Sequence, residues 1–394
     1  MSAWFQKANT EHALIFYIDS SSVGAAVVRF SGNAKPLFLW SGRSEIVLGV
    51  ELDFASFQNS TIQAFKKIIT TCAKESPVRP KIIIGILSSP WFVSQTRMVH
   101  IESDKPFVVN DSLLRKVIAD ESKAFEEEHR KSNDIILDDD NVTIEIKNMH
   151  LELNGYPTVL IQNQSVINLK LALFISMSSQ QILESFKEVV AKTFHNDKII
   201  FHTLPFVTYS TLRDIVPGPD QFIFIDINGE ITDLSIVNRG VIIETISFPL
   251  GYNFLFRHVA KSLATTTDEA RTLLESYNDQ TLHEDYATKL KADISYAKQE
   301  WLKSLGHALQ LSSFEYFLPN MAYVLGHHST INFFADFISD EKLKQYTMSN
   351  RPFTVQVVSS TVLGSFCEMA PGSQRDIFLF LAALFQKKML GLQS

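Results

Sequence analysis

Two stretches of this chain, Leu14 to Phe30 and Phe222 to Val237, follow one plan, and any fold has to accommodate both. The first opens on the apolar run Ala13-Leu-Ile-Phe-Tyr-Ile18, passes through Asp19-Ser-Ser-Ser-Val-Gly24 and returns along Ala25 to Phe30. The second opens on Gln221-Phe-Ile-Phe-Ile-Asp226, turns, and returns along Thr232 to Val237, with a further strand over Val241 to Ile246. Short apolar runs joined by polar, Ser- or Gly-bearing elbows read as strand–turn–strand units. Such a repeat in a chain that also shows helical periodicity predicts two similar lobes facing a cleft. The length agrees, since 394 residues exceed what one compact core organises.

Between the two elbows the pattern changes. A helix is predicted over 56–74 and a buried strand over Lys81 to Leu87. Strand-like Met98 to Glu102 then precedes Asn110-Asp111-Ser112, a helix cap, and a charged helix to His129. Two strands are predicted over Val142 to Ile146 and Met149 to Leu153, with a turn at Asn154-Gly155 and a strand over Leu169 to Met177. The chain therefore divides into a first lobe (12–97 and 179–216), an inserted α+β unit (98–178) and a second lobe (217–394). Residues 264–318 form a helical subdomain within that second lobe.

Composition narrows the function. A net charge of −7 argues against a nucleic-acid binder. Cys72 and Cys367 make neither a disulfide framework nor a thiolate metal site, and point to a reducing, cytoplasmic setting. Met1 to Thr10 lacks the pattern of a signal peptide. The longest apolar run, Ile377 to Phe385, is about half of the ~20 residues that cross a bilayer. With Lys387-Lys388 behind it, this run has two readings: a membrane-seeking tail or the last core helix of the second lobe, and the second is expected. Asp138-Asp-Asp140 lacks the ligand spacing of a calcium loop, and the adjacent His327 and His328 have no third ligand. Hydrolase, zincin and Walker motifs are absent from the sequence.

The second elbow, Asp226-Ile-Asn-Gly-Glu-Ile-Thr-Asp233, resembles the D-I-G-G-E-x-T-D phosphate loop of the bacterial division protein FtsA, and Phe248-Pro-Leu-Gly251 resembles the segment that follows it. Ile18-Asp-Ser-Ser-Ser-Val-Gly-Ala-Ala26 is similar to I-G-S-S-S-V-x-A-A, and Leu151-Glu-Leu-Asn-Gly-Tyr156 resembles a hairpin of that family's insert. The likeness runs in order over residues 13–390; its most specific mark, the insert, is shared with the pilus assembly protein PilM.

The resemblance implies a two-lobed actin-like ATPase fold of the ribonuclease H-like kind, α/β, with a small α+β insert in the first lobe. It also implies a cleft that holds Mg-ATP by four devices. Elbow amides bind the phosphates, here Ser20, Ser21 and Ser22 facing Gly229, Glu230, Thr232 and Asp233. Strand-end aspartates hold magnesium, and Asp226 is the candidate. A Glu and a Lys on one helix hold ribose and base, and glycines, here Gly326, floor the adenine.

Against that pattern, Tyr17 stands in the magnesium aspartate's place and Asp19 in that of a phosphate-loop glycine. There a like charge at ~4 Å costs about 4 kcal/mol at a surface-like dielectric. Asn228 replaces a glycine, as a residue that visits positive φ. The ribose pair reads Arg271 and Leu274, and the floor reads Gly326-His327-His328.

The expectation is a cytoplasmic scaffold, recruited to the inner face of the cell membrane, with little or no ATP and magnesium binding and no catalysis. Its implied partners are the C-terminal peptide of an FtsZ-like polymer, membrane-bound division proteins and further copies of itself, with membrane contact indirect. The alternatives are a PilM-like component of a pilus or secretion apparatus, gripping a peptide beside its insert, and an active ATPase.

Overall fold

A computed structural model describes residues 10–47, 53–131, 140–158, 163–216, 218, 220–313, 318–326 and 330–391. The chain opens with β1 (Thr10–Ile18), β2 (Ser22–Ser31) and β3 (Leu37–Glu45), then α1 (Phe54–Glu75) and β4 (Ile82–Leu87). Next come β5 (Val93–Val109), α2 (Asp111–Lys131), β6 (Asn141–Leu153), β7 (Tyr156–Pro157) and β8 (Gln164–Ser179). α3 (Gln180–Phe194), β9 (Ile199–Thr203) and α4 (Leu204–Ile215) lead to β10 (Phe222–Ile227), β11 (Thr232–Asn238) and β12 (Val241–Phe248). Helices α5 (Tyr252–Leu263), α6 (Thr267–Asn278) and α7 (Glu284–Ser313) follow, then β13 (Met321–Leu325), α8 (Ile331–Ile338) and β14 (Thr354–Val357). The described chain ends with α9 (Ser360–Gly364), β15 (Glu368–Met369) and α10 (Ile377–Met389).

The duplication seen in the sequence is a duplication of topology. One sheet has the order β15-β3-β2-β1-β4-β9 and the other β12-β11-β10-β13-β14. Leaving β15 aside, the two match strand for strand. In each, a meander of three antiparallel strands is extended by two parallel ones. Parallel strands need covering on both faces, which is why β4, β10 and the run Ala13–Ile18 of β1 are apolar at nearly every position rather than alternating. In the first lobe α1 and α3 cover one face and α4 and α10 the other. Trp301 of α7, fully buried against Phe248, Phe334 and Phe337, centres the second lobe. At Gly85 of β4 an added Cβ would lie 2.6 Å from the Phe16 ring and 2.7 Å from Phe201, so the ring of β1 needs the missing side chain.

The insert is a four-stranded sheet, β5-β8-β6-β7, with α2 against it. Asn110 caps α2 as the sequence predicts, its side chain accepting from the Leu113 N–H. The two strands expected over 142–153 are one strand, β6, whose pairing with β8 skips at Ile144 and at Met149. Each bulge adds a residue and resets the alternation of faces, which made one strand read as two. Asn154 (φ 50°) and Gly155 (φ 85°) form the expected turn into β7.

A second correction concerns the chain's end. Residues 217–394 are not all second lobe: β15 pairs with β3, and α10 packs on β1, β2 and α4. Asp376 caps α10 and bonds Arg43 of β3, and Phe378 stacks on Tyr17 of β1. The apolar run 377–385 is therefore core, as expected, but the core of the first lobe. Among the described residues no helix is long and apolar enough to cross a membrane. Asp138, Asp139, His327 and His328 lie outside the described residues.

Candidate functional site

β1 and β4 end side by side, Ile18 opposite Leu87, and β10 ends in the other lobe facing them. Ligand sites of open α/β sheets lie beyond such carboxyl ends. Three segments meet here: the first elbow, Asp19–Ser22; the end of β4, Ser88-Ser89; and the second elbow, Asp226–Asp233.

The first elbow is folded around its own aspartate. The Asp19 carboxylate is fully buried, and its Oδ1 accepts from the N–H groups of Ser21 and Ser22, at 2.6 and 2.7 Å, and from the Ser21 hydroxyl at 2.8 Å. Arg43 stands 3.5 Å from Oδ2, donates to the Ser22 hydroxyl at 2.6 Å, and bonds Asp376 through both Nε and Nη2. The amides that would face a phosphate thus face a carboxylate of the chain itself, and its counter-ion is a guanidinium. This arrangement stabilises an aspartate at a position where the resemblance implies glycine.

Tyr17 fills the corner where the resemblance implies a metal-binding aspartate. Its ring is buried flat against Phe378 (centroids 4.4 Å, 8° between planes), and its hydroxyl donates to Asn228 Oδ1 at 3.1 Å. Burial, and then the nearby Asp226 and Asp19 carboxylates, hold its pKa well above the usual phenol value. Asn228 is fully buried and is not among the residues of positive φ, so backbone freedom does not explain it. Its amide does: Nδ2 donates to Ser88 Oγ (2.8 Å) and to Asp226 Oδ2 (2.7 Å) while Oδ1 accepts from Tyr17. Tyr17 and Asn228 form one hydrogen-bonded pair across the lobes.

The two elbows touch. The Glu230 N–H donates to Ser20 Oγ at 2.9 Å, and the Tyr252 hydroxyl donates to Ser21 Oγ at 2.5 Å. A Cβ on Gly229 would stand 2.5 Å from Ser21 Cβ, so the loops are in van der Waals contact where phosphates would lie. The first turn of α5 is committed as well: the N–H groups of Tyr252 and Asn253 donate to the carbonyls of Asn228 and Gly229, at 2.9 Å each. Helix N-termini bind anions only where such amides are open. Gly251 permits this approach, because a Cβ there would meet Asn228 O at 2.0 Å.

The remaining candidates are bonded or packed within the protein. Thr232 donates to Leu250 O and accepts from Trp301 Nε1. Glu230 is bound bidentately by Arg257 and also by Asn253. Asp233 Oδ1 accepts from Ser89 Oγ (2.8 Å) and Ser247 Oγ (2.5 Å); burial raises its pKa to about 6, the serine hydrogen bonds pulling the other way. Asp226, also buried, is held well above the usual carboxylate range by burial, then by Asp233, and its Oδ2 accepts from Ser88 and Asn228. Its Oδ1 has no hydrogen-bond partner among the described residues. Gly326 abuts Ile331, whose Cδ1 would lie 2.5 Å from an added Cβ. Leu274 lies in the second-lobe core, and Arg271 faces Asp268 of its own helix.

Magnesium with a nucleotide needs several open oxygens and exposed loop amides. Asp226 Oδ1 is one open oxygen. Asp19, Asp233 and the elbow amides are engaged within the protein, Tyr17 brings a phenol, and no group of three ligating side chains forms among the described residues. The arrangement does not fit Mg-ATP as it stands.

Sequence reasoning missed Ser88 and Ser89, Arg43, Tyr252 and Asp376. Polar residues directly after an apolar parallel strand were the available signal for the serines, and an aspartate just before an apolar run was the signal for the Asp376 cap.

No protein-family model matches the sequence, and no curated protein matches it. Among solved structures, a chain of the PilM–PilN type IV pilus biogenesis complex is similar over 97% of this chain and 99% of its own, with a TM-score of 0.64 and 15% identity. The ethanolamine utilization protein EutJ from Carboxydothermus hydrogenoformans aligns over 96% of this chain and 90% of its own (TM-score 0.45, 12% identity), and a non-polymerising MamK mutant bound to AMPPNP over 91% and 97% (TM-score 0.41, 10% identity). The protein has the two-lobed actin-like ATPase fold. At this identity the likeness to the PilM–PilN chain is one of fold and extent, and the particular resemblance to FtsA finds no counterpart among these structures.

Proposed function

We propose that this protein is a non-catalytic, actin-like scaffold whose cleft is closed by its own side chains, and that it serves as an assembly component of the PilM kind. The observation that carries the scaffold reading is the direct contact of the two elbows, Ser20 with the Glu230 amide and Ser21 against Gly229. Six hydrogen bonds cross between the lobes there, with Ser88 and Ser89 on one side and Asp226, Asn228 and Asp233 on the other supplying half of them. At about 1 kcal/mol net for each, they favour one fixed lobe arrangement over the opening a nucleotide would require. The fold likeness over the full length of both chains supports a pilus-type role, and the first peptide to test is the cytoplasmic segment of a PilN-type membrane protein from the same genome.

Calorimetric titration of Mg-ATP tests the first half. No heat of binding up to about millimolar nucleotide is expected, and affinity in the micromolar range, worth about 8 kcal/mol, would overturn the closed-cleft reading. Titration with the PilN-type segment and, in parallel, with an FtsZ C-terminal peptide tests the second half. Binding of the FtsZ peptide alone would replace the pilus reading with a division one.

A further inference from the structure

The parallel strands β1, β4 and β9 all begin at the end of the first lobe opposite the cleft, with Ala13 opposite Ile82 and Ile83 opposite Ile199. Helices α1 and α3 end there, β2 ends there with Arg29 opposite His12, and α10 ends there, where Lys387 Nζ donates to Asn33 O at 3.2 Å. This base carries a run of exposed cations: Arg29, Lys74, Arg79, Lys81 and Lys198. None of the five forms an ion pair among the described residues. The carboxylates nearest in the chain are Glu11, Asp197 and Glu75, the last engaged by Trp40 Nε1 at 2.9 Å. Glu188 and Asp214 are each neutralised by a lysine. A chain of net charge −7 thus presents one positive end.

We propose that this base is a docking surface for an anionic lipid bilayer. The contact is direct, and it stands apart from the closed cleft, which none of these residues touches. Three features select a lipid surface. The cations lie across the end of a sheet; a cavity of about 840 Å³ lies elsewhere, on the second lobe beside Lys303 and Tyr346. Two aliphatic side chains, Ile200 and Met389, are half exposed at the same end. Nucleic-acid bases need aromatic platforms, and none is fully exposed at this end among the described residues.

Each cation held at an anionic surface strengthens binding roughly fivefold. The full chain is sedimented with phosphatidylcholine vesicles containing about a third phosphatidylglycerol, and with pure phosphatidylcholine. Binding to the anionic vesicles alone is expected, fading as salt approaches about 0.5 M because the Debye length shrinks. Lys74→Gln with Arg79→Gln should weaken it roughly 25-fold at an unchanged melting temperature. Lys303→Gln with Lys342→Gln, on the second lobe, should bind like the parent. Equal sedimentation with both vesicle types, or parent-like binding by the Lys74/Arg79 variant, overturns the proposal. So does tighter capture by polyglutamate or an RNA oligonucleotide that the same pair abolishes, which would assign the base to that class of partner instead.

Discussion

Asp233 offers the sharpest test of a cleft that is closed rather than loaded. It is buried, with no cation beside it among the described residues, and burial lifts its pKa from 3.8 to about 6. A carboxyl whose pKa is higher in the folded state than in the unfolded one favours folding while protonated. That stability is complete below the unfolded value and is lost as pH rises through the folded one. Between pH 4 and pH 7 the loss is about 3 kcal/mol, at 1.36 kcal/mol for each pH unit between the two pKa values. Asp233→Asn removes the charge and keeps Oδ1 as acceptor for Ser89 and Ser247. Placing the new amide N–H groups costs about 1 kcal/mol, so a net gain of about 1–2 kcal/mol is expected at pH 7, a rise of a few degrees in melting temperature. The assay is thermal unfolding of parent and variant from pH 4 to pH 8, with and without magnesium. The advantage should vanish near pH 4, and magnesium should not alter it. If the variant melts lower at neutral pH, or if magnesium stabilises the parent alone, Asp233 is serving an ion and the closed-cleft argument fails.

Other perturbations probe the same closure. Arg43→Met leaves Asp19 and Asp376 without their shared cation, and a loss of about 3–5 kcal/mol in chemical denaturation is expected. Gly229→Ala drives a methyl into Ser21, 2.5 Å away, and should cost about 1–3 kcal/mol; a double-mutant cycle with Ser21→Gly should show the two changes coupled. Tyr17→Phe strands Asn228 Oδ1 and should cost about 1–3 kcal/mol without creating nucleotide affinity, both measurable by melting with and without Mg-ATP. Glu145→Ala deprives the buried His202 ring and the Thr203 N–H and hydroxyl of their acceptor. Faster amide exchange confined to β6 and β9, where insert and first lobe meet, is the expected signature.

The fold was legible because its main signals are local. Apolar runs flanking Asp19–Gly24 and Ile227–Ile231 specify strand–elbow–strand by themselves, and the repeat tells how many lobes there are. The helix cap at Asn110 was likewise within reach of a short window. What stayed hidden depends on distant partners. β6 was broken in two by bulges that only its pairing with β8 reveals. Asn228 looked like a residue chosen for backbone freedom, whereas its amide joins Tyr17, Ser88 and Asp226, the first two more than a hundred residues away. The odd residues of the first elbow, Tyr17 and Asp19, were visible as departures from a pattern. Their compensation by Arg43, Asp376 and Phe378 was not, because the bonds span up to 333 residues.

The placement of α10 carries a consequence for how the protein is made. The first lobe is begun by β1 and finished only when β15 and α10 return to it, so its core lacks Phe378, Phe380 and Leu381 until synthesis has passed the whole second lobe. The second-lobe sheet and its helices, by contrast, lie within one continuous stretch, 222–357. Chains usually acquire structure from the N-terminus as they leave the ribosome. Here the order is inverted: the later-made lobe is the first that can complete itself, and the earlier-made one waits, its apolar face open, for α10. A chain stalled or truncated shortly after Val357 should therefore hold a folded second lobe beside an unfinished first, and be a natural client for chaperones.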